Sequence, residues 1–210
     1  MLLKNLGANG NKTLQPKVIC DIMWKMEKEV SGVDDQGRQA ELLERLRKER
    51  PVPWDNLPDI HLYMDQVVSY LPRQLIRFDE DEQLTSAMIN NYSKEGLLPR
   101  ADGKKYGRTH LAHLTAICAL KQVLSVREIK AVLSVKGRQE GGEEFYARFC
   151  DVLDRALSET ADKLAGENGG TELSLLALEL ALSSYAHKLA CQRILHVLHE
   201  NEPKPEKGKS

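Results

Sequence analysis

The chain has 210 residues, of which 41% are hydrophobic and 29% are charged, and its formal net charge at pH 7 is −1. This composition is typical of a soluble globular protein. Because basic and acidic residues nearly balance, overall charge indicates no partner, and a nucleic-acid-binding role would need local charge patterning.

The cysteines and the apolar runs narrow the class of protein further. The four cysteines, Cys20, Cys118, Cys150 and Cys191, lie far apart and form no CxxC pair, which argues against a zinc ribbon or a thioredoxin-like motif. The N-terminal stretch is too weakly apolar for a signal peptide, and no segment is long enough to span a bilayer. We therefore expect reduced thiols, a cytoplasmic location and no membrane contact.

Residues 1–56 are expected to form an N-terminal helical segment that ends in a proline-rich linker. Apolar residues recur at helical spacing after Pro16, and a charged helix is predicted from about Gln39 to Glu49. The segment RPVPWDNLPDI then carries three prolines, which favour extended backbone.

Residues 57–136 carry the clearest helix boundaries. A helix is predicted from about Asp59 to Tyr70, and an acidic connector covers residues 79–82. Thr85 has the position of an N-cap for the next helix, and Gly96 suits the left-handed residue that ends it. Further along, Ser125 and Glu128 form a capping-box pattern at the start of another helix.

Residues 137–200 are expected to form a helical hairpin, followed by a polar, disordered tail over residues 201–210. The two helices are predicted over about 143–164 and 172–199. Leucines on most sides of the second helix indicate that it is buried. It could serve as a core helix or as a homodimer interface, and its heptad pattern is too irregular to predict a long coiled coil.

The stretch from Leu84 to Leu133 resembles the DNA-binding domain of MerR-type transcription regulators. The matching blocks are LTSAMINNYSKEGLL, GKKYGRTHLAHL and VLSVREIKAVL. Thr85 falls on the family's capping serine, Tyr106 on the tyrosine of the wing, and Asn90 on the position of a phosphate-contacting arginine. The resemblance implies a MerR-like winged helix-turn-helix within an all-α fold that leaves room for a small β-wing, with a flanking helical bundle.

The resemblance also implies which side chains would contact double-stranded DNA. Residues after the N-cap of a recognition helix reach base edges, and basic residues of a wing contact phosphates. Between Lys94 and Arg108, five basic residues stand against two acidic ones. The expected contact residues are Ser86, Ala87, Asn90, Asn91, Tyr92, Lys94, Arg100, Lys104, Lys105, Tyr106 and Arg108.

Several alternatives stay open at this point. Tyr92 and Tyr106 could pack in the core, and the lysines could simply be solvated. The whole unit could be a helical protein–protein interaction module that no longer binds DNA. No catalytic motif is present, and the pairs His110/His113 and His196/His199 have no third ligand. We therefore expect neither an enzyme nor a metal site nor a cofactor.

Overall fold

A computed structural model describes residues 36–76, 84–133, 141–166 and 170–200. The chain divides into two compact units, residues 1–42 and 43–210, so the division falls before the boundary expected at residue 56. Within the described ranges, the first unit comprises residues 36–42 and the second unit all the others. The helix expected after Pro16, the acidic connector over residues 79–82 and the tail over residues 201–210 lie outside the described residues.

The described residues are mostly helical, and this confirms an all-α fold class. Helix α1 covers residues 36–48. The later helices are α2 (Met64–Tyr70), α3 (Ser86–Lys94), α4 (Arg108–Leu120), α5 (Val126–Leu133), α6 (Gly142–Ala165) and α7 (Gly170–Glu200), with short 3-10 helices at Trp54–Asn56 and Leu71–Gln74. Strands β1 (Leu62–Tyr63) and β2 (Lys105–Tyr106) form a small antiparallel sheet in which Leu62 pairs with Tyr106.

Helix α4 lies at the centre of the second unit. Six of its thirteen residues are buried, among them Leu111, Leu114 and Ile117. It packs against α6, β2 and the 3-10 helix at Leu71–Gln74. Because apolar side chains face neighbours on several sides, α4 is the element around which the surrounding helices are arranged.

The proline-rich segment is fixed to this core through the backbone of Val52. The Val52 N–H donates to Gln74 Oε1 at 3.2 Å, and the Val52 carbonyl accepts from the Tyr146 hydroxyl at 2.9 Å. Gln74 is itself buried, and Leu57 is only 2% exposed. The segment expected to be a linker is therefore part of the folded core.

Helix α7 departs from the sequence expectation. Its leucines predicted a helix buried on most sides, yet among its described side chains only Leu176 and Leu195 are buried. The helix packs against α5 and α6, but many of its leucines remain exposed: Leu175, Leu178, Leu182, Leu189 and Leu198. None of the helices in the described ranges combines the length and apolar character needed to cross a membrane.

Candidate nucleic-acid interface

Helix α3 begins where the sequence predicted an N-cap. The Thr85 hydroxyl accepts a hydrogen bond from the Met88 N–H at 3.2 Å, which satisfies one of the free amides of the first turn. Ile89 and Tyr92 lie in the core and are no more than 2% exposed. These two anchors determine which side of α3 faces solvent.

The solvent-facing side of α3 is continuous. Successive residues of a helix are about 100° apart around its axis. On this geometry five exposed residues fall within an arc of about 140°: Ser86, Ala87, Asn90, Asn91 and Lys94. The arc presents a hydroxyl, a methyl group, two carboxamides and an ammonium group, all of which can contact base edges or phosphates in a major groove.

The C-terminal end of α3 is a sharp, fixed turn. Gly96 has a φ of 72°, a left-handed conformation in which residues other than glycine are strained. The Leu97 N–H donates to the Tyr92 carbonyl at 2.9 Å, and the side chains of Leu97 and Leu98 are buried. The chain that leaves α3 therefore starts from an anchored position.

The basic loop after α3 is a tight hairpin turn paired with β1. Gly103 has a φ of 64°, and the Lys105 N–H donates to the Asp102 carbonyl at 3.1 Å. Lys104 and Lys105 are exposed at this turn. The Lys105 Nζ lies 5.8 Å from the centroid of the Tyr63 ring, within the range of a cation–π contact.

His110 connects the hairpin to the start of α4. Its Nδ1 accepts from the Gly107 N–H at 3.1 Å, and its Nε2 lies 3.4 Å from the Arg100 carbonyl. Because Nδ1 is an acceptor, the neutral ring carries its proton on Nε2 and directs it at that carbonyl. The His110 ring also meets the Tyr106 ring edge to face at 5.5 Å between centroids, so both ends of the loop are held.

Two of the expected contact residues, Tyr92 and Tyr106, have their rings in the hydrophobic core. They are 2% and 6% exposed, so neither ring contributes to an exposed contact surface. Burial raises the pKa of Tyr92, and the nearby Cys118 thiol adds to the increase. The buried Tyr92 hydroxyl has no hydrogen-bond partner among the described residues.

Arg108 also differs from the other expected contacts. Its guanidinium carbon lies 5.7 Å from the centroid of the Trp54 ring, and its buried Nε has no hydrogen-bond partner in the described part of the chain. Arg108 is partly buried, so its side chain packs against the 3-10 helix at Trp54–Asn56 instead of extending from the hairpin.

The remaining residues between α3 and α4 leave an excess of positive charge on the surface. The exposed charged residues here are four cations and two acids: Lys94, Arg100, Lys104 and Lys105 against Glu95 and Asp102. A local excess of two positive charges contrasts with the chain's net charge of −1. Together with the α3 arc, these cations define the candidate interface, which comprises Ser86, Ala87, Asn90, Asn91, Lys94, Arg100, Lys104 and Lys105.

Two residues beside this interface were missed by the sequence analysis. Tyr63 is half exposed and lies next to Lys105. Lys130, on α5, lies close to the end of α3, since a Cβ added at Gly96 would be 3.8 Å from its Nζ. Both belong to elements distant in sequence from α3. The β1–β2 pairing brings Tyr63 to the candidate interface, and the packing of α5 brings Lys130 there. No local sequence pattern predicts the position of either residue.

The histidines on α4 take part in packing and backbone hydrogen bonds. His113 Nδ1 lies 2.8 Å from the Thr109 carbonyl, and its ring stacks on Phe145 at 4.8 Å between centroids. Burial lowers the pKa of His113. Among the described residues, no three His, Cys, Asp or Glu side chains are grouped closely enough to hold a metal ion.

Residues 52–149 are similar to a family described as a domain of unknown function, DUF1836. The matched stretch begins at the Val52 anchor and includes α2 to α5, both strands and the first part of α6. The chain matches no curated protein and no solved structure. The candidate interface lies wholly within the matched stretch.

Proposed function

We propose that this protein binds double-stranded DNA through the candidate interface and acts in transcriptional regulation. The observation that carries the proposal is the exposed arc of α3, which runs from Ser86 to Lys94 without an apolar interruption larger than Ala87. A helix that enters the major groove needs such a side, with short polar groups just after its N-cap.

The hairpin supports the same function. Lys104 and Lys105 are exposed at a turn that is fixed by strand pairing and by the His110 hydrogen bonds. Cations held on a rigid turn beside a recognition helix are suited to contact phosphates, which fix the register of a protein on DNA. The resemblance of the Leu84–Leu133 stretch to MerR-type regulators points to the same use of these elements.

The interface differs from the resembled pattern in one chemical respect. Asn90 takes the place of a phosphate-contacting arginine, and it lies one helical turn after Ser86 on the exposed arc. A carboxamide can donate to and accept from adenine, whereas an arginine here would contact backbone charge. We therefore assign Asn90 a role in base recognition, and we assign phosphate contact chiefly to the hairpin.

A second candidate function is a helical protein-interaction module. Exposed Glu95 and Asp102 interrupt the basic surface. Their carboxylates would repel DNA phosphates, whereas a protein surface with both basic and acidic residues could pair with the carboxylates and the lysines alike. The two functions make different predictions. Only the first requires the chain to bind duplex DNA, with an affinity that falls as the salt concentration rises.

The test is binding of the full chain to mixed-sequence duplex DNA across a salt series. Each phosphate contact contributes about −0.9 to the slope of log affinity against log salt. The double variant Lys104→Ala/Lys105→Ala should therefore have a slope smaller in magnitude by about 2. Binding can be followed by fluorescence anisotropy of labelled DNA.

The matched control is Arg47→Ala/Arg155→Ala, which removes two exposed cations outside the candidate interface. This control should keep the wild-type slope. Absence of binding by the wild-type chain at low salt would reject DNA binding and favour the interaction module. An equal change of slope in both double variants would reject the hairpin as the phosphate contact.

A further inference from the structure

The β1–β2 sheet has an inner face in the core and an outer face at the surface. Successive side chains of a strand point to opposite faces, and both strands follow this alternation. Leu62 and Tyr106 face the core and are 8% and 6% exposed. Tyr63 is 51% exposed, and Lys105 is also exposed. The outer face of the sheet therefore carries one tyrosine and one lysine.

The register of the sheet makes these two residues direct neighbours. Tyr63 pairs with Lys105, and directly paired residues have their side chains on the same face with Cβ atoms about 5 Å apart. The Lys105 Nζ lies 5.8 Å from the centroid of the Tyr63 ring, which is within the range at which a ring face attracts a cation. The ammonium group of Lys105 is therefore held on the β1 side of the hairpin.

Tyr63 is the more rigid member of this pair. Its N–H donates to Gln66 Oε1 at 2.9 Å, and Tyr63 is the N-cap residue of α2, whose Val67 is fully buried. A tyrosine ring has only two side-chain torsions, whereas a lysine side chain loses much rotamer freedom when it is immobilised. The anchored tyrosine can therefore determine where the lysine lies.

Asp102 lies on the other side of Lys105 from Tyr63. It forms an isolated antiparallel β-bridge with Lys105, so β2 has β1 on one side and Asp102 on the other, and the Asp102 side chain is exposed. A carboxylate that paired with the Lys105 ammonium would compete with a phosphate for it. The Tyr63 ring attracts the ammonium without neutralising its charge, so this contact keeps the full charge available.

Lys104 carries the same charge as Lys105 but is placed differently. It lies in the turn before β2 (Lys105–Tyr106), and the register of the described sheet pairs it with no residue of β1. The two lysines of the hairpin therefore have equal charge and unequal restraint. This difference makes Lys104 a matched control for Lys105.

We propose that Tyr63 is a positioning residue for the phosphate contact of Lys105. Its ring holds the ammonium group on the outer face of the sheet before DNA binds, and the ammonium then donates to a phosphate oxygen. An ammonium group has three N–H donors, so contact with a ring face leaves donors for the phosphate. Because ordering a side chain on binding lowers affinity, a lysine that is already ordered binds more tightly. This inference rests on the proposed binding of DNA.

The first test compares the affinities of Tyr63 variants of the full chain for a labelled mixed-sequence duplex at one low salt concentration. Tyr63→Leu removes the ring and should weaken binding about two- to fivefold, the range expected for an exposed cation–π contact. Tyr63→Phe keeps a ring and should bind like the wild type. Tyr185→Leu is the matched control and should also bind like the wild type, since Tyr185 is 65% exposed on α7, outside the candidate interface.

The second test determines whether the effect of Tyr63 depends on Lys105. In a Lys105→Ala background, Tyr63→Leu should cause no further loss of affinity, because no ammonium is left to position. In a Lys104→Ala background, Tyr63→Leu should still weaken binding about two- to fivefold. Circular dichroism and thermal unfolding check that every variant is folded.

Three outcomes would overturn the inference while leaving DNA binding in place. Tyr63→Leu could have no effect on affinity. It could cause equal losses in the two lysine backgrounds, in which case the tyrosine would not act through Lys105. Tyr63→Phe could lose as much affinity as Tyr63→Leu, in which case the hydroxyl itself would contact DNA. Absence of DNA binding by the wild-type chain would instead reject the proposed function together with this inference.

Discussion

Helices α4 and α7 are both rich in apolar residues, but they bury them to very different extents. Helix α4 buries six of its thirteen residues, whereas α7 buries only Leu176 and Leu195 among its described side chains. The difference arises from their neighbours within the described ranges. Helix α4 packs chiefly against α6, β2 and the 3-10 helix at Leu71–Gln74, whereas α7 packs chiefly against α5 and α6. A high content of apolar residues therefore does not by itself show that a helix is buried. The packing of the neighbouring elements determines which of its apolar side chains are removed from solvent.

The largest expected difference between the two helices is in the free energy of unfolding that is lost when an isoleucine of each is replaced by alanine. Ile117 of α4 is fully buried and Ile194 of α7 is 59% exposed. Ile117→Ala should lower the free energy of unfolding by about 2–5 kcal/mol, because it leaves a cavity. Ile194→Ala should change it by less than about 0.5 kcal/mol.

Urea denaturation followed by circular dichroism measures both values. The comparison fails if the two variants lose similar stability, because α7 would then be as tightly enclosed as α4.

A smaller difference in stability is expected when the hydroxyl groups of two core tyrosines, Tyr146 and Tyr92, are removed. The Tyr146 hydroxyl donates to the Val52 carbonyl at 2.9 Å, so Tyr146→Phe should cost about 1 kcal/mol. The Tyr92 hydroxyl is buried without a partner among the described residues. Tyr92→Phe should therefore be neutral or stabilising by up to about 1 kcal/mol.

Thermal unfolding of the two variants under the same conditions checks the opposite signs. A clear loss of stability with Tyr92→Phe would mean that its hydroxyl is hydrogen-bonded after all.

The smallest expected effect is an acid sensitivity that originates at His113 on α4. Burial lowers the pKa of His113, with the Thr109 carbonyl opposing the shift and His110 adding to it. The unfolded chain therefore takes up the proton more readily than the folded chain. The contribution to stability is complete above the unfolded pKa of about 6.5 and is lost as the pH falls through the folded value.

Comparing urea midpoints at about pH 7.5 and about pH 5 tests this sign. His113→Phe should lose less stability on acidification than the wild type does. His187→Phe is the control, because His187 is exposed on α7; if both variants respond to acid as the wild type does, His113 is not the source.

The elements that could be predicted from sequence depend on contacts between near neighbours. The Thr85 cap reaches Met88, and Gly96 ends α3 with a positive φ, as expected. The Ser125 capping box is confirmed by the Glu128 carboxylate, which accepts from the Ser125 N–H at 2.8 Å. Each involves residues within one helical turn, so local chemistry suffices to place it.

The features that escaped prediction depend on contacts between distant residues. Nothing near Tyr63 in sequence shows that it lies beside Lys105, and nothing in α7 shows which leucines α5 and α6 cover. The same limit applies to the candidate interface. Its polar helix positions could be identified from the sequence, but the assignment of Tyr92 and Tyr106 to the core needed the packing.

The Val52 anchor has a consequence for the order in which the protein folds. Its hydrogen bond with Tyr146 joins residues 94 positions apart. Closing so long a loop has a large entropic cost, which nearby contacts must offset first. We expect α3, the hairpin and α4 to associate early and the proline-rich segment to dock late. Substitutions at the anchor should then accelerate unfolding more than they slow folding.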